Sequence, residues 1–222
     1  MGPPRHVGVS GERVERWVAT FVGRHSPVDV TVTPERVEFV GGDGATAVAQ
    51  VPYPPLTPAH EQALTGFQPE AAAGLLAAHA LAPRTLGVLL VRRGGYAAGI
   101  FEGGQLHGAK TGSRHVQGRT AAGGWSQQRF ARRREGQARV ARDAAADAAV
   151  QVLLPETARL DAVVVGGDRR SCDLVLEDPR LGALRPLVSA HRLDVPEPRR
   201  SVLEDCAEAL RTVWILVEDP TR

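Results

Sequence analysis

The spacing of apolar residues divides the chain into two regions. In the first, apolar positions at helical spacing predict a helix over 8–24 with Ser10 as its cap, and a later Ala/Leu face predicts a helix over 69–82. Between these helices, strands are predicted at 28–32, 37–40 and 45–51. Pro83 ends the second helix, so we place a boundary there and interpret residues 1–83 as an accessory region.

Three short strands joined by glycine turns are predicted at the start of the second region. The continuous apolar run 86–91 predicts a buried strand. Gly94-Gly95 and Gly103-Gly104 mark two tight turns, with further strands expected at 96–101 and 105–110. Strands joined in this way form an antiparallel meander.

A long helix is predicted after the meander, beyond a loop with almost no apolar anchor. The loop covers 111–124, and a loop of that length in a compact domain is usually functional or disordered. The helix is expected over 126–153, with a buried stripe that begins at Ala138. We therefore expect the N-terminal end of this helix to project and only its later part to dock.

The last third of the chain alternates between strands and helices. The expected elements are a strand at 160–165, a helix at 171–184 interrupted near Pro179, a strand at 187–193, a helix at 199–213, and a strand or helix extension at 214–217. The predicted fold class is α+β: a mixed sheet, formed by the meander and the alternating α/β elements, has helices on its faces and accompanies a small N-terminal α/β region. Residues 84–222 are predicted to form the domain that carries the functional site.

Positive charge is concentrated in one stretch of a chain whose net charge is only +2. Between Lys110 and Arg142, nine Lys and Arg residues face a single acid, Glu135, while the rest of the chain has more acids than bases. Such a basic block favours a face that meets a polyanion. A solvated helix face is the alternative.

The cysteines and the apolar runs indicate a cytoplasmic protein. Cys172 and Cys206 lack metal-ligand spacing and are interpreted as reduced core residues. The first residues contain no apolar segment typical of a secretion signal, and no apolar run approaches the roughly 20 residues that a membrane span needs.

A glycine pair and two glutamines stand where the long helix begins. Gly123 and Gly124 permit positive φ and a close approach of the backbone to a ligand. The helix start at Ser126 leaves backbone N–H groups free at the positive end of the dipole, which suits a phosphate or a developing oxyanion. Gln127 and Gln128 can hold water but are not general bases near neutral pH, so a proton acceptor must come from elsewhere. An ordinary helix start with solvated glutamines is the alternative.

Arginines and an aromatic residue surround the glutamines. Arginines spread over about one helical turn fit a phosphate-rich groove, and an aromatic residue among them is typical of a platform on which bases stack. For Trp125, a hydrophobic contact under the loop is the alternative. The candidate RNA contacts are Lys110, Arg114, Arg119, Trp125, Arg129, Arg132, Arg133 and Arg134.

Other chemistries fit the sequence less well. The glycines do not form the strand-to-helix fingerprint of dinucleotide binding, and there is no Walker loop. His107 and His115 are eight residues apart and have no companion ligands, which argues against a metal site. We therefore expect no cofactor and no metal.

The stretch 123–134, which reads GGWSQQRFARRR, resembles the tip of the middle domain of eukaryotic and archaeal class I release factors, whose pattern is roughly GGQSxxRFxRxR. The strands at 86–91 and 96–101 and the segment 161–167 are similar to those around that tip. The likeness covers about 85–213. It is shared with the actinobacterial release-factor-like peptidyl-tRNA hydrolases, relatives of the eukaryotic enzyme that frees nascent chains from stalled large ribosomal subunits.

This resemblance implies an RNase H-like middle-domain fold and hydrolysis of the ester that joins a nascent peptide to tRNA. The implied partners are the rRNA of the peptidyl transferase centre in the large ribosomal subunit and peptidyl-tRNA, without a membrane. In the family a tip glutamine helps to place water, and the ribosome and the tRNA ribose hydroxyl complete the site. The implied catalytic residues are Gly123, Gly124, Gln127 and Gln128.

This sequence departs from the family pattern at the glutamine itself. Trp125 occupies the position of the family glutamine, and a glutamine follows two residues later. Relatives in ribosome quality control have a similar Gly-x-x-Gln spacing, so Gln127 is the first candidate and Gln128 the second.

Three functions are consistent with the sequence. The chain is too short for the codon-reading and partner-binding domains of a full release factor, so the leading hypothesis is a hydrolase that acts on stalled or split ribosomes without reading a stop codon. The alternatives are a non-catalytic ribosome-binding or RNA-binding factor and a nuclease that trims the tRNA 3′ end.

Overall fold

The chain forms two compact units. Their division agrees with the predicted boundary at residue 83 but not at the end of the chain. The computed structural model describes residues 3–56, 64–114 and 126–220, with the backbone alone at 64–65 and 126–134. One unit consists of Met1–Ala82 with Glu208–Arg222, and the other of Pro83–Ala207. The prediction that all residues after 83 share one domain is therefore corrected, because the end of the chain belongs to the first unit.

Strands and helices are both abundant in the described residues. The strands are β1 (Arg5–Ser10), β2 (Val28–Val32), β3 (Arg36–Gly41), β4 (Thr46–Gln50), β5 (Leu64–Thr65), β6 (Thr85–Arg92), β7 (Gly95–Glu102), β8 (Gln105–Ser113), β9 (Ala162–Gly167), β10 (Val188–Leu193) and β11 (Thr212–Glu218). The α-helices are α1 (Val14–His25), α2 (Pro69–Leu81), α3 (Ser126–Val152), α4 (Arg169–Leu176), α5 (Arg200–Glu204) and α6 (Cys206–Ala209). The predicted α+β class is confirmed.

The first unit is an antiparallel sheet packed against two helices. Its strand order is β1-β11-β4-β3-β2-β5. Val37 and Phe39 of β3 alternate with polar positions and are fully buried, as a strand with one covered face requires. They share a core with Val18 of α1 and Leu76 of α2. The last strand of the chain thus lies between the first strand and β4.

The predicted N-terminal helix begins later than expected. Residues 5–10 form β1 instead, and Ser10 makes no side-chain capping bond. β1 pairs with β11 along its whole length, from Arg5 opposite Val217 to Ser10 opposite Thr212. The helix predicted over 199–213 is likewise shorter, because Thr212 already belongs to β11.

The second unit is a mixed sheet in the order β10-β9-β6-β7-β8. β6 pairs antiparallel with β7 and parallel with β9, and β7 pairs antiparallel with β8, which confirms the predicted meander. The first turn lies at Arg93-Gly94 and not at Gly94-Gly95. Arg93 and Gly94 have φ values of 52° and 88°, and positive φ at both central residues is the mark of a two-residue type I′ hairpin.

Both cysteines are buried and free, as predicted. Burial raises the pKa of the Cys172 thiol, and likewise that of Cys206, to about 11. Both thiols are therefore protonated near neutral pH, and they are covered by the protein. Buried thiols of this kind are inert and belong to the packing.

α3 docks on the second unit through alanines. Ala145 and Ala148 are fully buried and share a core with Leu89 and Ile100 of the sheet. Because these side chains are small, the helix lies close to β7 and β8, on which it packs. The position and angle of α3 therefore depend on residues that leave no room for larger side chains.

Replacement of Ala145 by Leu is expected to lower the free energy of unfolding by about 1–3 kcal/mol, because added methylenes strain a filled core. Urea denaturation measures this change. Asp143→Leu is the matched control, because Asp143 is an exposed residue of the same helix. Equal stability of the two variants would contradict the close docking of α3.

Candidate functional site

α3 is the element that carries the candidate tip residues, and only its later part is buried. The helix has 27 residues, which gives a length of about 40 Å. Ala141 is the first buried side chain among those described, and none from Glu135 to Val140 is buried. Val140 is 52% exposed, and Ala138, which the sequence predicted as the start of the buried stripe, is exposed. Undocked helix thus extends toward the N-terminal end of α3.

The predicted tip residues lie at the start of α3 or directly before it. Gln127, Gln128 and the arginines Arg129, Arg132, Arg133 and Arg134 belong to the helix, where the structure describes the backbone. Spacings of three and four residues put positions 129, 132 and 133 on one side of the helix. Gly123, Gly124, Trp125 and Arg119 lie outside the described residues.

Lys110 and Arg114 are described, and they differ in their surroundings. Lys110 of β8 is half-buried, and its Nζ donates a hydrogen bond to Oε1 of Gln151 in the docked half of α3. Arg114 is exposed: its backbone N–H donates to the Gly94 carbonyl at 2.9 Å, and its guanidinium donates to the Ser113 carbonyl at 3.2 Å. Lys110 therefore links the sheet to α3, whereas among the described residues the Arg114 guanidinium hydrogen-bonds only to its own strand end.

A double-mutant cycle distinguishes two roles of Lys110: a structural bond to Gln151 and a direct contact with RNA. If Lys110 acts through Gln151, Lys110→Ala and Gln151→Ala each lower the free energy of unfolding by about 0.5–1 kcal/mol, and the double variant loses no more than the larger of the two. Urea denaturation of the four proteins in this cycle measures the coupling. Weaker RNA binding in Lys110→Ala alone, with no coupling, would favour the direct contact.

The strands of the second unit bring a group of arginines to one edge of the sheet. β6, β8, β9 and β10 run in the same direction, so their carboxyl ends meet at this edge. Five arginines lie at or within three residues of these strand ends, and we call them the basic edge: Arg92, Arg93, Arg114, Arg169 and Arg170. A sixth, Arg192 of β10, is not counted with them because it pairs with Asp173 at 2.6 Å. β8 ends at Ser113 and Arg114 follows it, so the basic edge includes the last described residue before 115–125.

Most of the positive charge of the basic edge is unpaired. The side chains of Arg93, Arg169 and Arg170 are exposed and make no hydrogen bond or ion pair with other described residues, although the charge of Arg170 helps to lower the pKa of the Asp168 carboxyl. Arg92 is engaged, with Nη1 2.5 Å from the Val195 carbonyl and 3.5 Å from a carboxylate oxygen of Asp194. Three arginines in this part of the molecule are thus available to a polyanion.

Asp168, the residue directly before Arg169 and Arg170, caps the start of α4. Asp168 accepts hydrogen bonds from the hydroxyl of Ser171 at 2.5 Å and from its backbone N–H at 2.8 Å. These two bonds lower the pKa of the Asp168 carboxyl below its usual value. Asp168 is therefore an ionised cap of α4 near neutral pH.

The described residues show neither a metal centre nor a membrane span. No group of three or more His, Cys, Asp or Glu residues in the described ranges is arranged to hold a metal ion. In the same ranges, no helix combines the length and the apolar character needed to cross a bilayer.

A match to a family model tests the relationship to release factors that the sequence at 123–134 suggested. The model of the Actinobacteria/Chloroflexi VLRF1 release factor matches residues 84–216, which is more than half of the chain. The chain belongs to this release factor family. The match includes the tip at 123–134, the whole of α3 and every arginine of the basic edge. As a release factor, the protein has a ribosome-associated role in release or rescue, and its partner is the ribosome.

Several solved structures are similar to this chain at low sequence identity. The archaeal translation termination factor aRF1 is 11% identical with a TM-score of 0.39, and the alignment covers 89% of this chain and 69% of that factor. The Vms1 mitochondrial localization core is 10% identical with a TM-score of 0.39, covering 96% and 82%. Pelota of Thermoplasma acidophilum is 9% identical with a TM-score of 0.30, covering 91% and 62%. No curated protein matches the chain.

The basic edge of this release factor was not found from the sequence. Its members are separated by up to 78 residues and meet only because four strands end together. A signal was present nonetheless. Arg92-Arg93 and Arg169-Arg170 are arginine pairs that stand at or just after the ends of apolar strands, and such pairs are candidates for ligand contact when the strands are parallel.

Proposed function

We propose that the chain is a codon-independent peptidyl-tRNA hydrolase that releases nascent chains from stalled or split ribosomes. The observation that carries this proposal is the sequence Gly-Gly-Trp-Ser-Gln-Gln, whose last three residues begin α3, in a chain of the release factor family. The unburied helix that follows, residues 135–140, supports it, because an undocked helix can carry a tip into a narrow site.

The reaction requires water to be held against the ester carbonyl. Water adds to the acyl carbon, the bond to the tRNA ribose oxygen breaks, and that oxygen takes the proton, which leaves a free peptide carboxyl and an intact tRNA. The side-chain amide of Gln127 holds the water, and Gln128 is the second candidate. Gly123 and Gly124 let the backbone approach the ester closely. The ribosome and the ribose hydroxyl supply the proton acceptor that the tip lacks.

Binding in this proposal comes from the arginines and from Trp125. Arg129, Arg132, Arg133 and Arg134 contact phosphates of the rRNA that surrounds the peptidyl transferase centre, and Trp125 stacks on a base. Arg119, Arg114 and the unpaired arginines of the basic edge extend the contact along the path from the sheet to the tip. Because arginine binds phosphate with two parallel hydrogen bonds, this set fits an RNA surface better than a single anion.

The nature of the tRNA product tests this function against its alternatives. Purified large ribosomal subunits that carry peptidyl-tRNA, with no stop codon present, are incubated with the protein, and the tRNA is sized on a denaturing gel. Ester hydrolysis gives full-length tRNA that can be aminoacylated again. A shortened tRNA would instead identify a nuclease of the 3′ end. Unchanged peptidyl-tRNA on subunits that bind the protein would identify a non-catalytic binding factor.

A further inference from the structure

The first unit contains a cleft lined by arginines, far in sequence from the tip. The cleft has a volume of about 670 Å³ and is lined by residues of α1, β1, β11 and the segment before β11. The residues that carry its chemistry are Arg5, Arg13, Arg16, Trp17, Thr20 and Arg24. We call this feature the α1 cleft.

α1 supplies more of the lining than any other element. Arg13, which stands directly before the helix, is followed by Arg16, Trp17, Thr20 and Arg24, and these spacings of three and four residues define a single stripe. The opposite side of α1, with Val14 and Val18, is buried in the core of the first unit. The helix is therefore fixed by its apolar side, and the stripe of arginines is held facing the cleft.

The α1 cleft is rich in arginine although the first unit as a whole is acidic. Residues 1–82 and 208–222 contain seven arginines and no lysine against eleven Asp and Glu residues, so the unit is acidic. Four of the seven arginines line this one cleft. An acidic unit whose positive charge converges at one place has a surface suited to a polyanion.

Three of the four arginines are not neutralised by neighbouring carboxylates. Arg5 pairs with Asp219 at 3.0 Å. The side chains of Arg13, Arg16 and Arg24 are exposed and have no ion pair or hydrogen bond among the residues that the structure describes. Glu208 and Asp219 also line the cleft, which leaves an excess of two positive charges.

An aromatic ring lies among these arginines. Trp17 lines the cleft and is only partly buried, and its ring stacks on Phe21 with centroids 5.9 Å apart and an interplanar angle of 12°. This contact holds the indole in a fixed plane. A fixed, partly exposed indole between arginines is the arrangement on which proteins stack unpaired bases.

We propose that the α1 cleft binds single-stranded RNA, with Arg13, Arg16 and Arg24 on phosphates and a base stacked on Trp17. Arg13 and Arg24 are about 17 Å apart along the helix axis, so they contact phosphates of different nucleotides. The proposal rests on membership in a ribosome-acting family and does not depend on peptide release by the tip.

Small molecules and acidic peptides fit the α1 cleft less well. Small-molecule sites are mostly apolar and enclose their ligand, whereas this cleft exposes the side chains of four arginines, one glutamate and one aspartate. The carboxylates of an acidic peptide could pair with the arginines, but such a peptide has no planar group to stack on the indole of Trp17. RNA uses both, because it combines phosphates at regular intervals with bases that stack.

Fluorescence anisotropy with a labelled ten-residue oligouridine, at several salt concentrations, tests the proposal on the full chain. All proteins in the comparison carry Arg132→Ala, Arg133→Ala and Arg134→Ala, so that binding by α3 is reduced equally. Adding Arg13→Gln, Arg16→Gln and Arg24→Gln is expected to weaken binding about tenfold or more. The slope of log K against log salt should decrease by about 2, near 0.7 for each phosphate that is no longer neutralised.

Two further variants separate charge from stacking and from general surface effects. Trp17→Leu is expected to weaken binding about fivefold or more with an unchanged salt slope, because stacking releases no counterions. Arg36→Gln removes an exposed arginine of the same unit that does not line the cleft, and it should change neither quantity. Circular dichroism melting curves verify that each variant is folded.

Crosslinking with 4-thiouridine locates the RNA directly and needs no substitution in the cleft. Crosslinks to peptides that contain Trp17 are the expected result. The proposal is overturned if the folded triple cleft variant keeps the salt slope of its parent, or if all crosslinks fall in residues 114–134. Tighter binding of a deca-aspartate peptide than of oligouridine would assign the cleft to an acidic protein partner instead.

Discussion

Replacement of Gln127 by Ala is expected to lower the rate of peptide release from large-subunit complexes by at least about 100-fold, the usual cost of removing one positioned polar group from a reacting centre. Gln127 lies in the first turn of α3, where its amide can hold water beside the free backbone N–H groups of the helix start. Binding to the ribosome should persist, because a neutral amide contributes nothing to counterion release. Single-turnover release and subunit cosedimentation measure the two effects separately.

Gln128 provides the matched control for this prediction, because it is the same residue type one position farther along the helix. Gln128→Ala should retain most of the release activity. Gln127→Glu should behave like Gln127→Ala, because an ionised carboxylate accepts hydrogen bonds but does not donate them. A large loss in Gln128→Ala, with normal release by Gln127→Ala, would transfer the role to Gln128.

Substitution of Arg132, Arg133 and Arg134 by Ala is the second change for which we expect a large effect. The affinity for large subunits should fall about tenfold or more near 0.15 M salt, and the slope of log K against log salt should decrease by about 2 to 3, one phosphate contact for each arginine. At saturating enzyme the release rate should remain close to that of the wild type, because these arginines bind RNA and do not hold the water.

A pair of arginines elsewhere in the second unit controls for the removal of charge in general. Arg199 and Arg200 are exposed, and they already face Glu197 at 3.7 Å and Glu204 at 2.9 Å. Substituting both by Ala should leave the salt slope near its wild-type value. A similar fall in slope for both sets would mean that total charge, and not the start of α3, governs ribosome binding.

The parts of the fold that were predicted well are those in which neighbouring residues in sequence are also neighbours in space. The meander β6-β7-β8 and the strands β2, β3 and β4 follow directly from continuous or alternating apolar residues and from glycine turns. The family relationship, suggested by 123–134, is confirmed by the match over residues 84–216.

The errors arose where distant segments pair. β1 was interpreted as the start of a helix because its partner, β11, lies some 200 residues away and leaves no local mark. For the same reason, the end of the chain was assigned to the wrong unit. The turn at Arg93-Gly94 was placed one residue late because two adjacent glycines make either position acceptable, and only the strand register decides between them.

The sequence identified several residues of the candidate site, but it did not show which residues lie close together in the fold. Gln127 and the arginines after it were identified from a motif, and their catalytic and RNA-binding roles stay predictions. Lys110 was interpreted as an RNA contact, but the structure adds a bond to Gln151 that no local pattern indicates. The basic edge and the α1 cleft combine residues from several elements, so only the folded chain brings them together.

Single-turnover release of peptide by the wild-type protein tests the central claim most directly. The substrate is a purified large ribosomal subunit that carries peptidyl-tRNA, with no mRNA and no stop codon, and the protein is present at saturating concentration. We expect rapid appearance of free peptide together with full-length tRNA, at a rate that falls about 100-fold or more in Gln127→Ala. Peptidyl-tRNA that stays intact on subunits to which the protein is bound would contradict the proposed hydrolysis.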